Sequence, residues 1–210
     1  MNVLDIHTHN TAASDAVICC PVTEFNPQPG RLYSVGIHPW HTAEATSDHL
    51  RLLAELAEHP QVVAIGETGL DTLRGAPLDR QLALLKRHIA IAERVGKPVI
   101  VHCVRASQQM AALWRRTAPH RVAMAIHGFR GNAHVARTLL EAGCWLSFGW
   151  HHNAGAVTDT PAARRLAETD DAPHSIADVV AALAHTRGTD PGNLERTARL
   201  NAATFLASNL

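Results

Sequence analysis

No charge of either sign is in excess along this chain: 19 lysines and arginines stand against 19 aspartates and glutamates in 210 residues. A balanced chain has no global basic field to draw in nucleic acid or an anionic membrane, so a phosphate-bearing substrate has to be held by local charges or by metal. Long apolar runs are missing too. None approaches the roughly eighteen residues that cross a bilayer, and the first residues lead straight into a strand-like run with neither a basic n-region nor an apolar h-region. These absences predict a soluble, cytoplasmic protein with no membrane partner. Cys19, Cys20, Cys103 and Cys144 show no C-x-x-C spacing. All four lie in or beside strand-like runs, where a reduced cysteine behaves as a small buried hydrophobe, so metal or disulfide chemistry is not expected of them. Repeats, low-complexity tracts and linkers are also absent. With 46% hydrophobic residues, the whole of 1–210 reads as one domain with a substantial core.

What the chain does have is an alternation of strand and helix signals. Short strand-like runs fall near 2–7, 16–20, 32–37, 61–66, 98–102, 121–127, 143–148 and 164–168. Between them, Leu78, Leu82, Leu85, Ile89 and Ala92 step by four and three along one face of a helix that Pro77 can open and Gly96 can close. Leu52, Leu53 and Leu56 mark a helix before Pro60, and Val135, Leu139 and Ala142 one ending at Gly143. Ile176, Val179, Val180 and Leu183 mark another before Gly188, and a last helix opens at Asp190-Pro191 and runs towards Phe205. Eight strands alternating with helices predict an α/β fold, a TIM (β/α)8 barrel. The chain is short against the usual barrel length of about 250 residues. The segments 10–15 and 21–31 are too short or too rich in Pro and Gly for ordinary crossover helices, so the barrel is expected to be distorted there, with the first crossover helices missing or shortened.

Four histidines and two acids follow apolar runs: His7 and His9 in VLDIHTH, Glu67 in VVAIGETGLD, His102 in PVIVHC, His127 in VAMAIHGF and Asp170 in LAETDDAP. Parallel strands would bring all six to one rim. Residues two apart on a strand share a face, so His7 and His9 can both turn inward onto a metal ion. H-x-H alone is a weak signal in a chain with 15 histidines; six such groups at comparable positions are a strong one, because unpaired acids and imidazoles facing a barrel core are costly. Six ligands exceed what one tetrahedral ion takes, which suggests two ions bridged by Glu67. A pair about 3.5–4 Å apart would polarise a scissile group, activate a shared water and stabilise the leaving oxygen. Four His and two carboxylates suit Zn, Mn, Ni or Fe, with Mg possible.

At these residues the chain resembles the TatD-like metal-dependent hydrolases of the amidohydrolase superfamily, a group described broadly as deoxyribonucleases. The similarity takes in H-T-H at 7–9, G-I-H-P at 36–39, G-E-T-G-L-D at 66–71, P-V-I-V-H at 98–102, I-H-G-F-R-G at 126–131, S-F-G at 147–149, E-T-D at 168–170 and N-A at 201–202. The resemblance implies a TIM barrel with a dinuclear site, His7, His9, Glu67 and Asp170 holding one metal and Glu67, His102 and His127 the other. It also implies that Asp170 orients the attacking water and accepts its proton, with Glu67 as the bridging partner in catalysis. Asp171 competes for the ligand role, since one residue more than the family pattern separates E-T-D from Pro173. Arg105 stands one place later than the family's arginine, and Trp40 intervenes between His38-Pro39 and His41.

His38 and Arg105 are the candidate substrate-binding residues: His38 could meet a substrate phosphate or satisfy a loop backbone, and Arg105 could clamp a phosphate or pair with a surface acid. Trp40 and Trp150 could stack on a base or simply pack, and His151 and His152 lie at the same rim. Lys97 belongs at the opposite end of its strand. The expected function is divalent-metal-dependent phosphodiester hydrolysis on DNA ends or a small nucleotide ester, with no strong duplex binding. The alternatives are lactone or amide hydrolysis and a non-catalytic metal-binding scaffold.

Overall fold

The apolar runs become eight parallel strands in a computed structural model that describes residues 2–207. They are β1 (Asp5–Thr8), β2 (Ala16–Pro21), β3 (Leu32–Gly36), β4 (Val62–Asp71), β5 (Val99–Val104), β6 (Met124–Ile126), β7 (Trp145–Phe148) and β8 (Arg165–Ala167). Each pairs with its sequence neighbour, and β1 closes on β8 through Asp5 opposite Ala167, so the sheet is a closed barrel in chain order. The TIM barrel is therefore the observed fold.

Helices α1 (Ser47–Leu56), α2 (Leu78–Val95), α4 (Ala133–Glu141), α6 (Ile176–Arg187) and α7 (Pro191–Leu206) fall where the sequence places them. Their ends have the predicted chemistry. Gly96 and Gly188 close α2 and α6 in the left-handed conformation, and Asp190 caps α7 by accepting from the Asn193 N–H, with Pro191 first in the helix. Two further helices, α3 (Ser107–Arg116) and α5 (Ala154–Asp159), have no counterpart among the predicted ones. No helix follows β1, and only a single 3-10 turn at Val22–Glu24 follows β2. The shortened crossovers are thus where Pro and Gly put them. Among the described residues no helix is long and apolar enough to cross a membrane.

Strand β4 departs from its predicted 61–66 and runs on to Asp71. A register shift between Ile65 and Thr68 lets it bend and keep pairing with β5, so that Gly69 lies opposite His102. Glu67 consequently sits inside a strand, not beyond its end. Gly69 has φ +144°, and a Cβ there would lie 2.0 Å from the His102 carbonyl oxygen. Only glycine allows the two strands to approach so closely beside two site residues.

The side chains divide into two cores. One face of the strands packs on α1–α6 and on Leu194 and Ala198 of α7 through residues such as Val35, Ile65, Val101, Met124 and Phe148. The other face fills the barrel with Val17, Ala64, Ile100, Ala125 and Leu166, and Ala202, Phe205 and Leu206 of α7 join this inner cluster beside the strand beginnings, where the Trp145 and Phe205 rings lie 5.9 Å apart. Stepping two residues onward from inner positions leads to the opposite rim: Val17 to Cys19, Ile100 to His102, Ala125 to His127. A dry floor thus supports a polar mouth.

Candidate metal centre

Glu67 stands at the centre of this mouth, 5% exposed. Its Oε2 lies 3.4 Å from His7 Nε2 and 3.8 Å from His9 Nε2. Its Oε1 lies 2.8 Å from His127 Nε2, 3.0 Å from His102 Nδ1 and 2.9 Å from His38 Nε2. Burial alone would push the Glu67 carboxyl up; the charge of His127 and hydrogen bonds from His102, His127 and His38 outweigh it and hold the group well below the usual carboxylate range.

Asp170 reaches the same place because the chain beyond β8 keeps following β1. Asp170 N–H donates to the His7 carbonyl at 2.9 Å and His9 N–H to the Asp170 carbonyl at 3.0 Å. Its Oδ1 then lies 3.6 Å from both His7 Nε2 and His9 Nε2. Asp171, by contrast, is exposed. All six residues singled out as ligands are therefore within one cluster.

His7 tests whether that cluster suits metal. Its ring is completely buried, yet neither Nδ1 nor Nε2 has a hydrogen-bond partner. A buried imidazole without partners is costly, whereas one pointing Nε2 between two carboxylates is arranged as a ligand. Three donor groups close enough to hold an ion are His7, His9, Cys19 and Glu67; His7, His127 and Asp170; and His38, Glu67 and His102. The donors present fit divalent metal.

Three acids that the sequence pattern did not single out hold the centre in place. His102 turns its other nitrogen, Nε2, to Asp71 Oδ2 at 3.2 Å, and His127 turns Nδ1 to Glu168 Oε1 at 3.3 Å. A carboxylate behind a histidine fixes its tautomer and ring orientation. Asp71 is itself held by Trp40 Nε1–H at 2.7 Å, and Glu168 by Gly128 N–H at 2.6 Å. Asp5 accepts from Thr169 Oγ1–H at 2.6 Å and Thr169 N–H at 3.1 Å, which pins the E-T-D turn; burial pushes its carboxyl up to about 7. Asp71 and Glu168 sit within the very motifs G-E-T-G-L-D and E-T-D, which was the available signal.

The remaining candidates separate. His38 lies in the cluster, as given above. Arg105 is exposed just past β5, in the left-handed region at φ +52°, and does not line the cleft. Trp40 lines the cleft, with the Arg74 guanidinium 4.4 Å from its ring centroid. Trp150 stacks on His174 at 3.7 Å, and His152 bonds the Gly149 carbonyl and Thr186 Oγ1, so both have structural occupations. Lys97 donates to the Ala57 and His59 carbonyls, away from the centre. The cleft encloses about 470 Å³ and is bordered by His9, Cys19, His38, Trp40, His49, Glu67, His102, His127 and Asp170 among others; of its lining residues none is Lys or Arg, while Glu24, Glu44 and Asp171 are acidic.

Known proteins bear on this geometry. The chain is 34% identical over 145 residues to the uncharacterized metal-dependent hydrolase YabD of Bacillus subtilis, a match covering 65% of this chain and 57% of YabD. It is 28% identical over 195 residues to the 3'-5' ssDNA/RNA exonuclease TatD of Erwinia tasmaniensis, covering 80% of this chain and 75% of that protein. Among solved structures, YJJV, a TatD homolog from Escherichia coli K12, superposes with a TM-score of 0.84 at 21% identity over 100% of this chain and 98% of that one. The profile of the family described as TatD related DNase matches residues 22–207, and the chain belongs to that family.

Proposed function

We propose that this chain is a divalent-metal-dependent hydrolase of phosphate esters, in which His7, His9, Glu67 and Asp170 would hold one ion and Glu67, His102 and His127 a second. The observation that carries this reading is the division of the Glu67 carboxylate, Oε2 towards His7 and His9 and Oε1 towards His102 and His127. A pair of divalent ions supplies Lewis-acid polarisation of the scissile bond and makes water acidic enough to ionise near neutral pH. Asp170 lines the cleft and is the group placed to orient that water and take its proton. His38 stands beside Glu67 Oε1, where a substrate phosphate oxygen would meet its Nε2. Arg105 is the nearest cation following β5 and would meet a phosphate farther along the substrate.

The exonuclease named among the relatives favours DNA ends or short single strands as substrate. The cleft lining, acidic at Glu24, Glu44 and Asp171, favours a second reading, in which the same centre hydrolyses a less charged lactone or amide. Protein loaded with Zn or Mn is expected to retain about two equivalents of metal and to hydrolyse bis-p-nitrophenyl phosphate. Glu67→Ala is expected to lose both equivalents, and His7→Ala to keep one. Retention of both by Glu67→Ala would remove the bridge, and turnover of lactones without turnover of the phosphodiester would select the second reading.

A further inference from the structure

We propose that Cys19 is an additional ligand of the ion held by His7 and His9, so that this position takes a thiolate beside nitrogen and oxygen donors. The proposal rests on the metal-dependent reading above. Cys19 lies on β2 two residues past Val17, and the strand period that puts Val17 in the inner core turns the Cys19 thiol into the barrel mouth. Its Sγ is 3.8 Å from Glu67 Oε2. The donor atoms of Cys19, His7, His9 and Glu67 all lie within 4.8 Å of one another. Bonds of about 2.3 Å to sulfur and 2.0–2.1 Å to nitrogen would draw these donors together on one ion.

His7 gives an independent sign. Fully buried and without a partner for either nitrogen, it aims Nε2 into the space that the thiol also faces. Neighbouring Cys20 belongs to the other face, packed in the outer core with its Sγ 3.5 Å from the Pro21 carbonyl. As the sulfur–metal bond forms, the thiol proton passes to solvent, so binding releases a proton and no oxidant is involved. Sulfur changes which ions the position prefers. Nitrogen and oxygen sites in general rank Zn above Mn, and a thiolate, being soft, widens that gap.

Cobalt(II) is the probe, because a thiolate ligand adds a near-ultraviolet sulfur-to-cobalt charge-transfer band to the visible d–d bands that any bound cobalt shows. Wild-type protein is expected to give both, Cys19→Ser and Cys19→Ala to lose the charge-transfer band while keeping the d–d bands, and Cys20→Ser to keep both. After dialysis against equal Zn and Mn, the bound Zn-to-Mn ratio is expected to fall by about tenfold or more in Cys19→Ser, the low end of what altered surroundings of a metal cost in affinity. Visible bands without charge transfer in the wild type, or a charge-transfer band or metal ratio unchanged in Cys19→Ser, would overturn the proposal and leave the metal-dependent reading standing. No cobalt bands at all would overturn both. Should neither Cys19 variant fold, by circular dichroism, the wild-type band and its survival in Cys20→Ser decide the question.

Discussion

Asp170 carries a backbone conformation that most residues avoid, φ +55°, in order to follow β1 and bring its carboxylate beside His7 and His9. Asp and Asn tolerate this left-handed region better than other side chains with a Cβ. Replacing Asp170 by Asn therefore keeps the turn, and an amide oxygen can still reach a metal, but it cannot accept a proton. Burial opposes ionisation of Asp170, and the close approach of His7, whose Nε2 lies 3.6 Å from Oδ1, together with the charges of His127 and His7 outweighs it, lowering the carboxyl to about 2. The group is thus ionised at neutral pH. Asp170→Asn is expected to lower kcat by roughly 10²–10⁴-fold, the scale of general-base removal, with the unfolding midpoint little changed. Asp171→Asn, at an exposed position, is expected to be mild. The reverse ranking on bis-p-nitrophenyl phosphate would hand the role to Asp171. The sequence left that choice open because adjacent aspartates have the same chemistry, and only pairing of the turn with β1 tells them apart. The histidines that meet at the mouth were legible because each follows an apolar run. Cys19 was not: a cysteine beside a strand reads as packing until the inner face is known.

At the scale of elements, α2 does more than cover the sheet. His88, fully buried on it, accepts from the Ile37 N–H through Nε2 at 3.0 Å and donates through Nδ1 to the Leu84 carbonyl at 2.9 Å. It thereby fastens the segment that presents His38. Only the neutral ring can make both bonds, and burial lowers its pKa to about 4 from an ordinary 6.5. Between those values the unfolded chain binds a proton that the folded chain refuses, so stability rises with pH across this window and is lost as pH falls through it. The difference of about 2.5 units corresponds to about 3 kcal/mol. Gln at 88 can accept from Ile37 N–H without titrating, so His88→Gln is expected to be modestly less stable at pH 7 and to show a shallower decline down to pH 4. Urea unfolding at several pH values checks this, and parallel pH profiles for the two proteins would count against it. His88 lies on the helical face predicted to be buried, but a periodic stripe of Leu and Ile does not announce the imidazole between them. The unpredicted α3 has its signal in Met110, Ala111, Leu113 and Trp114, all buried; α5, at Ala154–Asp159, is too short for periodicity to stand out. The strand and helix alternation elsewhere was legible because each predicted helix carries a regular apolar stripe and most have a Pro, Gly or Asp at an end.

For the whole molecule, barrel closure was readable from eight strand-like runs, whereas the inner packing of α7 was not, since an amphipathic helix does not say which end of a barrel it meets. What closure achieves is to gather groups from seven strands or their ends around one mouth while leaving the cleft itself without a lysine or arginine in its lining. Cations stand farther out, at Arg74 and Arg105 beyond β4 and β5 and Arg130 beyond β6, all three exposed. A single strand entering from that side could neutralise about three phosphates, which at a slope near −0.7 per contact makes log K fall against log salt with a slope of about −2. For duplex DNA the zero formal net charge of the chain means that no global basic field adds to these contacts. Measured by fluorescence anisotropy across a salt series, short labelled single strands are therefore expected to bind with a slope no steeper than about −2, and Arg105→Gln to make it shallower by roughly 0.7. Long duplexes are expected to bind weakly at every salt concentration. A steep slope with tight duplex binding would overturn this expectation, because three exposed arginines beside the cleft cannot account for it.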